Sequence, residues 1–360
     1  MNTNPQPEII AYAAKTILSN LVDLQKSIKG VNRRRNVEDI HDLRVSSRRI
    51  REALDIFMPF LPAKKSKNWE KIIRSLTKTF GNARDLDVQI EFVQSFFLEN
   101  NDAITRPGGR RLLLRLHQKR QRIQKELQAT LKELAKSNSI EGMNSSLKTM
   151  LDNFSSENFE SSALYHLAFN AIHKRLDEFL FFEIYIPYPD RVKELHLMRI
   201  AAKRLRYAME VFSPLYVGKL DSILEVIRCA QSSLGEIRDC DIWLTYIPEF
   251  VQKEKDIITR FYGNTRPYNR IFPGLQSLQS NRKQQRDVLY KGFTEDWKKW
   301  HQEEIWVQLR QIIFEPTLSM PKNELPDVNP AVIEPRNIQP DKSITPNIKT
   351  DESSMNGSPT

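Results

Sequence analysis

Glycine is scarce in this chain, with 11 in 360 residues, about half the share common in globular proteins. That argues against a turn-dense sandwich or barrel. It also leaves little for glycine-rich phosphate loops: neither Gly-x-x-x-x-Gly-Lys-(Ser/Thr) nor Gly-x-Gly-x-x-Gly occurs. Cysteine is scarcer. Cys229 and Cys240 cannot build a disulfide framework, which suits a reducing compartment, and they lack zinc-finger spacing. His-Glu-x-x-His is absent, so no metal or cofactor is expected. No run approaches the roughly 18 uncharged apolar residues of a membrane span. Met1–Pro7 is polar and lacks the apolar region of a signal peptide. These absences lead us to expect a cytoplasmic protein with no membrane partner.

Charge is plentiful and unevenly placed. The chain carries 55 Lys and Arg against 45 Asp and Glu, a net +10. Residues 311–360 hold seven acids, four bases and eight of the 19 prolines, which leaves residues 1–310 at +13. A segment so rich in proline and charge buries too little apolar area to offset its ordering entropy. We therefore expect 316–360 to be a disordered acidic tail. The positive excess belongs to the remainder and needs a partner there.

The remainder reads as helix. Ile10, Ala13, Ile17, Leu21, Leu24 and Ile28 recur at steps of three and four, with Gly30 at the cap position. Further helices are expected at 38–57, 66–80 (ending at Gly81), 85–100 and 110–136. Pro107-Gly108-Gly109 is read as a break. Residues 137–160, rich in Ser and Asn, read as a linker with one short helix. Helices resume at 161–182, 191–212, 219–234 (ending before Gly235), 239–246 and 275–313, with breaks at Pro248 and Pro273-Gly274. No period-two alternation supports a sheet.

The chain repeats itself. His41-Asp-Leu-Arg44-Val-Ser-Ser-Arg48-Arg49-Ile-Arg51 returns 155 residues later as His196-Leu-Met-Arg199-Ile-Ala-Ala-Lys203-Arg204-Leu-Arg206. Gly81-Asn-Ala-Arg84-Asp85-Leu-Asp87 returns at offset 154 as Gly235-Glu-Ile-Arg238-Asp239-Cys-Asp241, and Arg74 and Arg228 keep that offset. A weaker echo sets Lys119 and Arg122 against Lys283 and Arg286. Repeated order and near-equal spacing mark an internal duplication. The boundaries are 1–136 for the first repeat and 161–315 for the second.

At 100° per residue, Leu43, Ile50, Leu54 and Phe57 fall within roughly 40° and form a core stripe. His41, Arg44, Arg48 and Arg51 form a second stripe on the flank. Met198, Leu205, Met209 and Phe212 form the duplicate's core stripe, and His196, Arg199, Lys203 and Arg206 its polar one. Like charges stacked this way repel, so a helix gains nothing from the arrangement alone. It reads either as a solvated basic face or as a site for a polyanion. Arg suits the second reading because its planar fork donates two hydrogen bonds to phosphate oxygens. Lys203, standing where the first copy has Arg48, keeps the charge and loses the fork. Asp85 and Asp239, placed at helix starts after Gly, read as caps, and Asp87 and Asp241 as ion-pair partners.

The two motifs together resemble those of the CHAD family, the conserved histidine α-helical domain, over about residues 8–310. The resemblance implies an all-α fold of two antiparallel bundles related by a pseudo-two-fold axis. It further implies a basic central cavity that binds inorganic polyphosphate. Carried onto this chain, the contacts are His41, Arg44, Arg48, Arg49, Arg51, His196, Arg199, Lys203, Arg204 and Arg206. Arg74, Arg84, Arg228 and Arg238 come next, then Lys119, Arg122, Lys283 and Arg286.

Three functions compete. Polyphosphate presents close-spaced charges without bases, so stacked cations suffice to bind it. Nucleic-acid binding would use the same rows, yet Tyr207 is the only interleaved aromatic. A metal-dependent phosphohydrolase would rest on His41-Asp42, and the duplicate has Leu197 in place of the acid. The expected function is therefore non-catalytic polyphosphate binding, with storage-granule association or regulation of phosphate reserves as its setting.

Overall fold

Apolar residues at helical spacing build ten α-helices among the described residues. In the computed structural model, which describes residues 6–34, 37–100, 102–154 and 161–318, no strand occurs among those residues. The helices are α1 (Pro7–Arg34), α2 (Val37–Phe57), α3 (Ala63–Glu99), α4 (Arg106–Ser137) and α5 (Ser139–Asp152). They continue as α6 (Ser162–Leu180), α7 (Val192–Phe212), α8 (Asp221–Tyr262), α9 (Arg266–Gln302) and α10 (Ile305–Leu318). The expected tail residues 319–360 lie outside the described residues, while 316–318 continue α10.

The two halves follow one packing order. In the first, α1 packs on α2, α2 on α3 and α3 on α4, and α5 returns to α1. In the second, α6 packs on α7, α7 on α8 and α8 on α9, and α10 returns to α6. The stretch read as a linker therefore holds a packed helix, with Ile140, Met143 and Leu147 buried. The halves meet through α2 on α7 and α4 on α9.

Two apolar cores result. The larger runs through both halves, from Ile9 to Ile313. At its centre the rings of Tyr12, Phe57 and Phe212 meet, with Phe57 and Phe212 5.9 Å apart edge to face. Each fully buried phenylalanine contributes about 2 kcal/mol. The smaller core lies in the α3–α4 and α8–α9 hairpins, from Leu86, Ile90, Val93, Leu112, Leu116, Trp243, Ile247, Leu275 and Leu278.

Several glycines and prolines read as breaks do not break helices. Gly81 lies inside α3, Gly235 and Pro248 inside α8, and Pro273 and Gly274 inside α9. Gly30 lies inside α1, where a Cβ would run into the Asp39 carboxylate. Gly108 and Gly274 mark a close crossing of α4 and α9. A Cβ on Gly108 would collide with the Ile271 carbonyl, and one on Gly274 with the Thr105 carbonyl. Tertiary packing overrides the helix-breaking tendency of these residues.

Candidate functional site

Both core stripes are buried: Leu43, Ile50, Leu54 and Phe57 on α2 and Met198, Leu205, Met209 and Phe212 on α7. Burying them fixes the rotation of each helix. The cationic stripe beside each core stripe is thereby set near the contact between the halves.

Arg44, Arg48 and Arg51 of α2 and Lys203 of α7 line one cleft. Glu52, Thr77, Lys78, Gly81, Asp85 and Tyr207 complete it. Five of these side chains are cationic and two are carboxylates. Arg44 Nη1 donates to the Gly81 carbonyl at 3.0 Å and to Asp85 Oδ1 at 2.5 Å. On the duplicate side, a Cβ added to Gly235 would lie 3.4 Å from Arg199 Nε, so this glycine lets the guanidinium lie against the helix.

The cluster is rich in cations with few partners. Arg48 and Lys203 make no hydrogen bond or ion pair among the described residues. The Nε atoms of Arg199 and Arg238 are buried without a hydrogen-bond partner there. Burial, then Arg44, pulls Arg48 down to about 10. Burial lowers Lys203 well below the ordinary lysine value, and Arg48, Arg199 and Arg44 push it further. Arg199 is lowered by burial and by Arg44, against Asp239 and Asp85. Burial also pushes the Glu52 carboxyl up, against the cations Arg51, Arg175 and Arg204. Uncompensated buried charge is costly. An anion in the cleft would relieve both the desolvation and the repulsion.

The other expected contacts lie elsewhere. His41 is exposed, whereas His196 is buried. Glu210 collects Arg206 at 3.3 Å, Arg228 at 3.5 Å and Arg49 of the other half at 4.0 Å. Arg74 is exposed and pairs with Glu70. Arg84 and Arg204 are half-buried, and Arg122 and Lys283 are exposed. Lys119 lies near Lys253, and burial lowers its pKa. Arg286 is buried, donating to Asp241 Oδ1 at 2.5 Å and to the Pro189 carbonyl at 2.7 Å. Its charge is taken up inside the fold.

Residues 15–247 match the family described as the CHAD domain. The chain belongs to the CHAD domain family. The match is narrower than the 8–310 expected, but it contains both copies of both motifs. No curated protein sequence matches the chain. The crystal structure of the CHAD domain from the plant Ricinus communis is similar, with a TM-score of 0.50 and 17% identity over 87% of this chain and 92% of that one. PptA from Streptomyces chartreusis is also similar, with a TM-score of 0.55 and 15% identity over 82% of this chain and all of that one. At these identities the likeness shows the fold.

Within this CHAD domain, Asp85 and Asp239 are not helix caps. Both lie inside long helices, and Asp85 holds Arg44 instead. Asp87 and Asp241 are ion-paired, to Arg120 at 2.7 Å and to Arg286 at 2.5 Å. Arg120, rather than Arg122, is thus the counterpart of Arg286. The paired residues are 33 apart in the first half and 45 apart in the second, so the α8–α9 hairpin is 12 residues longer between them. That insertion shifts the repeat and hides the match.

Glu52, Thr77, Lys78 and Tyr207 line the cleft and were not among the expected contacts. Glu52 and Tyr207 occupy equivalent positions at offset 155, and Lys78 faces Ser232 at offset 154. A search for matching residues discards positions where the copies differ. Their signal was position: each lies one turn or less from a repeated cation. Among the described residues, no group of three or more His, Cys, Asp or Glu is placed to hold a metal ion.

Proposed function

We propose that this CHAD domain binds inorganic polyphosphate in the cleft between α2 and α7, without chemical turnover. The observation that carries this reading is the convergence of Arg48, Arg199 and Lys203 from the two halves with no anionic partner in contact. Arg44, Arg48 and Arg51 span about 10 Å along α2, enough to meet several successive phosphates. The ligand then supplies the counter-charges that the fold withholds. Tyr207 is buried and stacks against Arg206, whose Cζ lies 4.6 Å from the ring centroid. It offers no open face to a base, which favours polyphosphate over nucleic acid. In this reading the protein sits in the cytoplasm on phosphate stores, as a granule-attachment or reserve-sensing module.

A competition titration tests the reading. Labelled long-chain polyphosphate should bind, and duplex DNA and single-stranded RNA should compete poorly at moderate salt. Arg44→Ala with Arg199→Ala should weaken binding by about a hundredfold or more, from about 1.5–3 kcal/mol for each of the two charged hydrogen-bonding groups, with helical circular dichroism retained. Equal competition by RNA, or undiminished binding by the double variant, overturns it.

A further inference from the structure

The longer α8–α9 hairpin ends in a tip whose chemistry the polyphosphate reading does not use. Residues 257–272 read Ile-Ile-Thr-Arg-Phe-Tyr-Gly-Asn-Thr-Arg-Pro-Tyr-Asn-Arg-Ile-Phe. They contain four aromatics, three arginines and no acid. Gly263, at φ +69°, turns the chain between the helices. The smaller core ends at Phe250 on α8 and Leu275 on α9, and beyond it Ile258 and Ile271 are still buried while their neighbours are exposed.

The tip exposes apolar surface. Phe261 is 79% exposed and Tyr262 57%. Ile257 and Phe272 are exposed as well. Leu98 and Ile104, also exposed, belong to the shorter α3–α4 hairpin tip, which crosses α9 at Gly274. That shorter tip carries the acids Glu99 and Asp102. Single exposed apolar residues need no explanation, but a cluster at one end of a molecule marks an interaction surface. Arg260, Arg266 and Arg270 make no ion pair among the described residues.

We infer that the α8–α9 tip is a docking surface for an anionic lipid bilayer. Three features choose this occupant. The tip's own charge is +3, which complements an anionic headgroup layer. Aromatic rings flanked by arginines suit the interface, where rings lie at headgroup depth and guanidinium groups reach phosphate. The most exposed rings, Phe261 and Tyr262, sit at the turn itself beside Gly263, so they can enter a fluid surface without a matching socket. Base stacking is disfavoured, because the Phe261 and Tyr262 rings meet at 75° and offer no row of parallel faces. No described helix is long and apolar enough to cross a membrane. The contact inferred is peripheral, and it goes beyond the expectation of no membrane partner.

The test is vesicle flotation of the full chain. Vesicles of phosphatidylcholine with about a third phosphatidylglycerol should carry the protein, and pure phosphatidylcholine should carry tenfold less. Phe261→Ser with Tyr262→Ser should lose at least tenfold in vesicle binding and keep polyphosphate affinity. Arg44→Ala with Arg199→Ala should still float, which separates tip docking from adhesion of the basic cleft. A nitroxide label at Tyr262→Cys, in a Cys229→Ser background, should lose mobility on anionic vesicles. Equal flotation by the Phe261/Tyr262 variant, or a label that stays mobile, overturns the proposal. So does loss of flotation in the cleft variant alone. RNA displacing the vesicles while the label reports stacking would assign the tip to nucleic acid. Concentration-dependent dimers lost in the Phe261/Tyr262 variant, without vesicle binding, would assign it to self-association.

Discussion

Binding of polyphosphate should take up a proton at Lys203. Lys203 is the one lysine of the paired stripes, and its ammonium gives up a proton more readily than a guanidinium does. The groups facing it are Arg44, Arg48, Arg51 and Glu52 on α2, Lys78 and Asp85 on α3, and Arg199 and Tyr207 on α7. The cations outnumber the carboxylates, and burial disfavours charge further. In the free protein the lysine's protonation range therefore lies well below the ordinary 10.5. A bound polyanion reverses the local field and restores the charge. Affinity then falls as pH rises between the lowered value and 10.5. The limiting slope is one proton, a factor of about ten or 1.4 kcal/mol per pH unit. The sign for stability follows the same linkage. Below the lowered value the free fold carries the cost of a half-buried ammonium among other cations. As pH rises through the window the folded state binds fewer protons than the unfolded chain, so the free protein becomes more stable. Calorimetry in buffers of different ionisation enthalpy counts the protons. Measurements belong above about pH 8, where terminal phosphates are already ionised. Arg48, at about 10, remains largely charged below about pH 9. Lys203→Arg should bind polyphosphate with no uptake and a flat pH profile. Binding by the native chain without uptake, or the same uptake by Lys203→Arg, refutes the reasoning while leaving the polyphosphate reading intact.

Arg286→Met should cost about 3–5 kcal/mol, because it leaves the Asp241 carboxylate buried without its partner. Chemical denaturation measures it, and a loss under 1 kcal/mol would show that water replaces the pair. Gly274→Ala should cost about 1–3 kcal/mol by forcing α9 away from the Thr105 carbonyl, read as a lower Tm. Polyphosphate affinity should fall steeply with salt through counterion release, and the double Arg44/Arg199 variant should show a shallower log–log slope. An unchanged slope would place the contacted phosphates elsewhere.

Periodicity identified the helices but not their ends. Gly81 and Gly235 read as stops because glycine is a poor helix residue. They lie inside helices whose apolar faces stay buried on both sides of the glycine, from Phe80 to Ala83 on α3 and from Leu234 to Ile237 on α8, with Arg44 on the Gly81 carbonyl and Arg199 against Gly235. The stretch at 137–160 read as a linker with one short helix, and that helix, α5, buries Ile140, Met143 and Leu147 and packs on α1. Motif repetition brought Arg44, Arg48, Arg51 and Lys203 into view, and the cleft holds all four. Repetition also nominated Arg286, which serves a buried ion pair, because a repeated charge looks the same whether its partner is a ligand or an aspartate.

The sequence by itself determined three things: that the chain is helical, that its motif-bearing segments are duplicated, and which face of each motif helix is apolar. These are local, since spacing along one chain sets which side chains share a face. Glycine's scarcity belongs with them, because few turns need glycine when long helices carry the chain. Tertiary structure alone decided which cations stand together. Arg48 and Lys203 are 155 residues apart, and only the packing of α2 on α7 places them in one cleft. It likewise decided which charges are neutralised within the fold and which make no ion pair among the described residues. Coulomb energy depends on distance and burial, and neither is written in the order of residues.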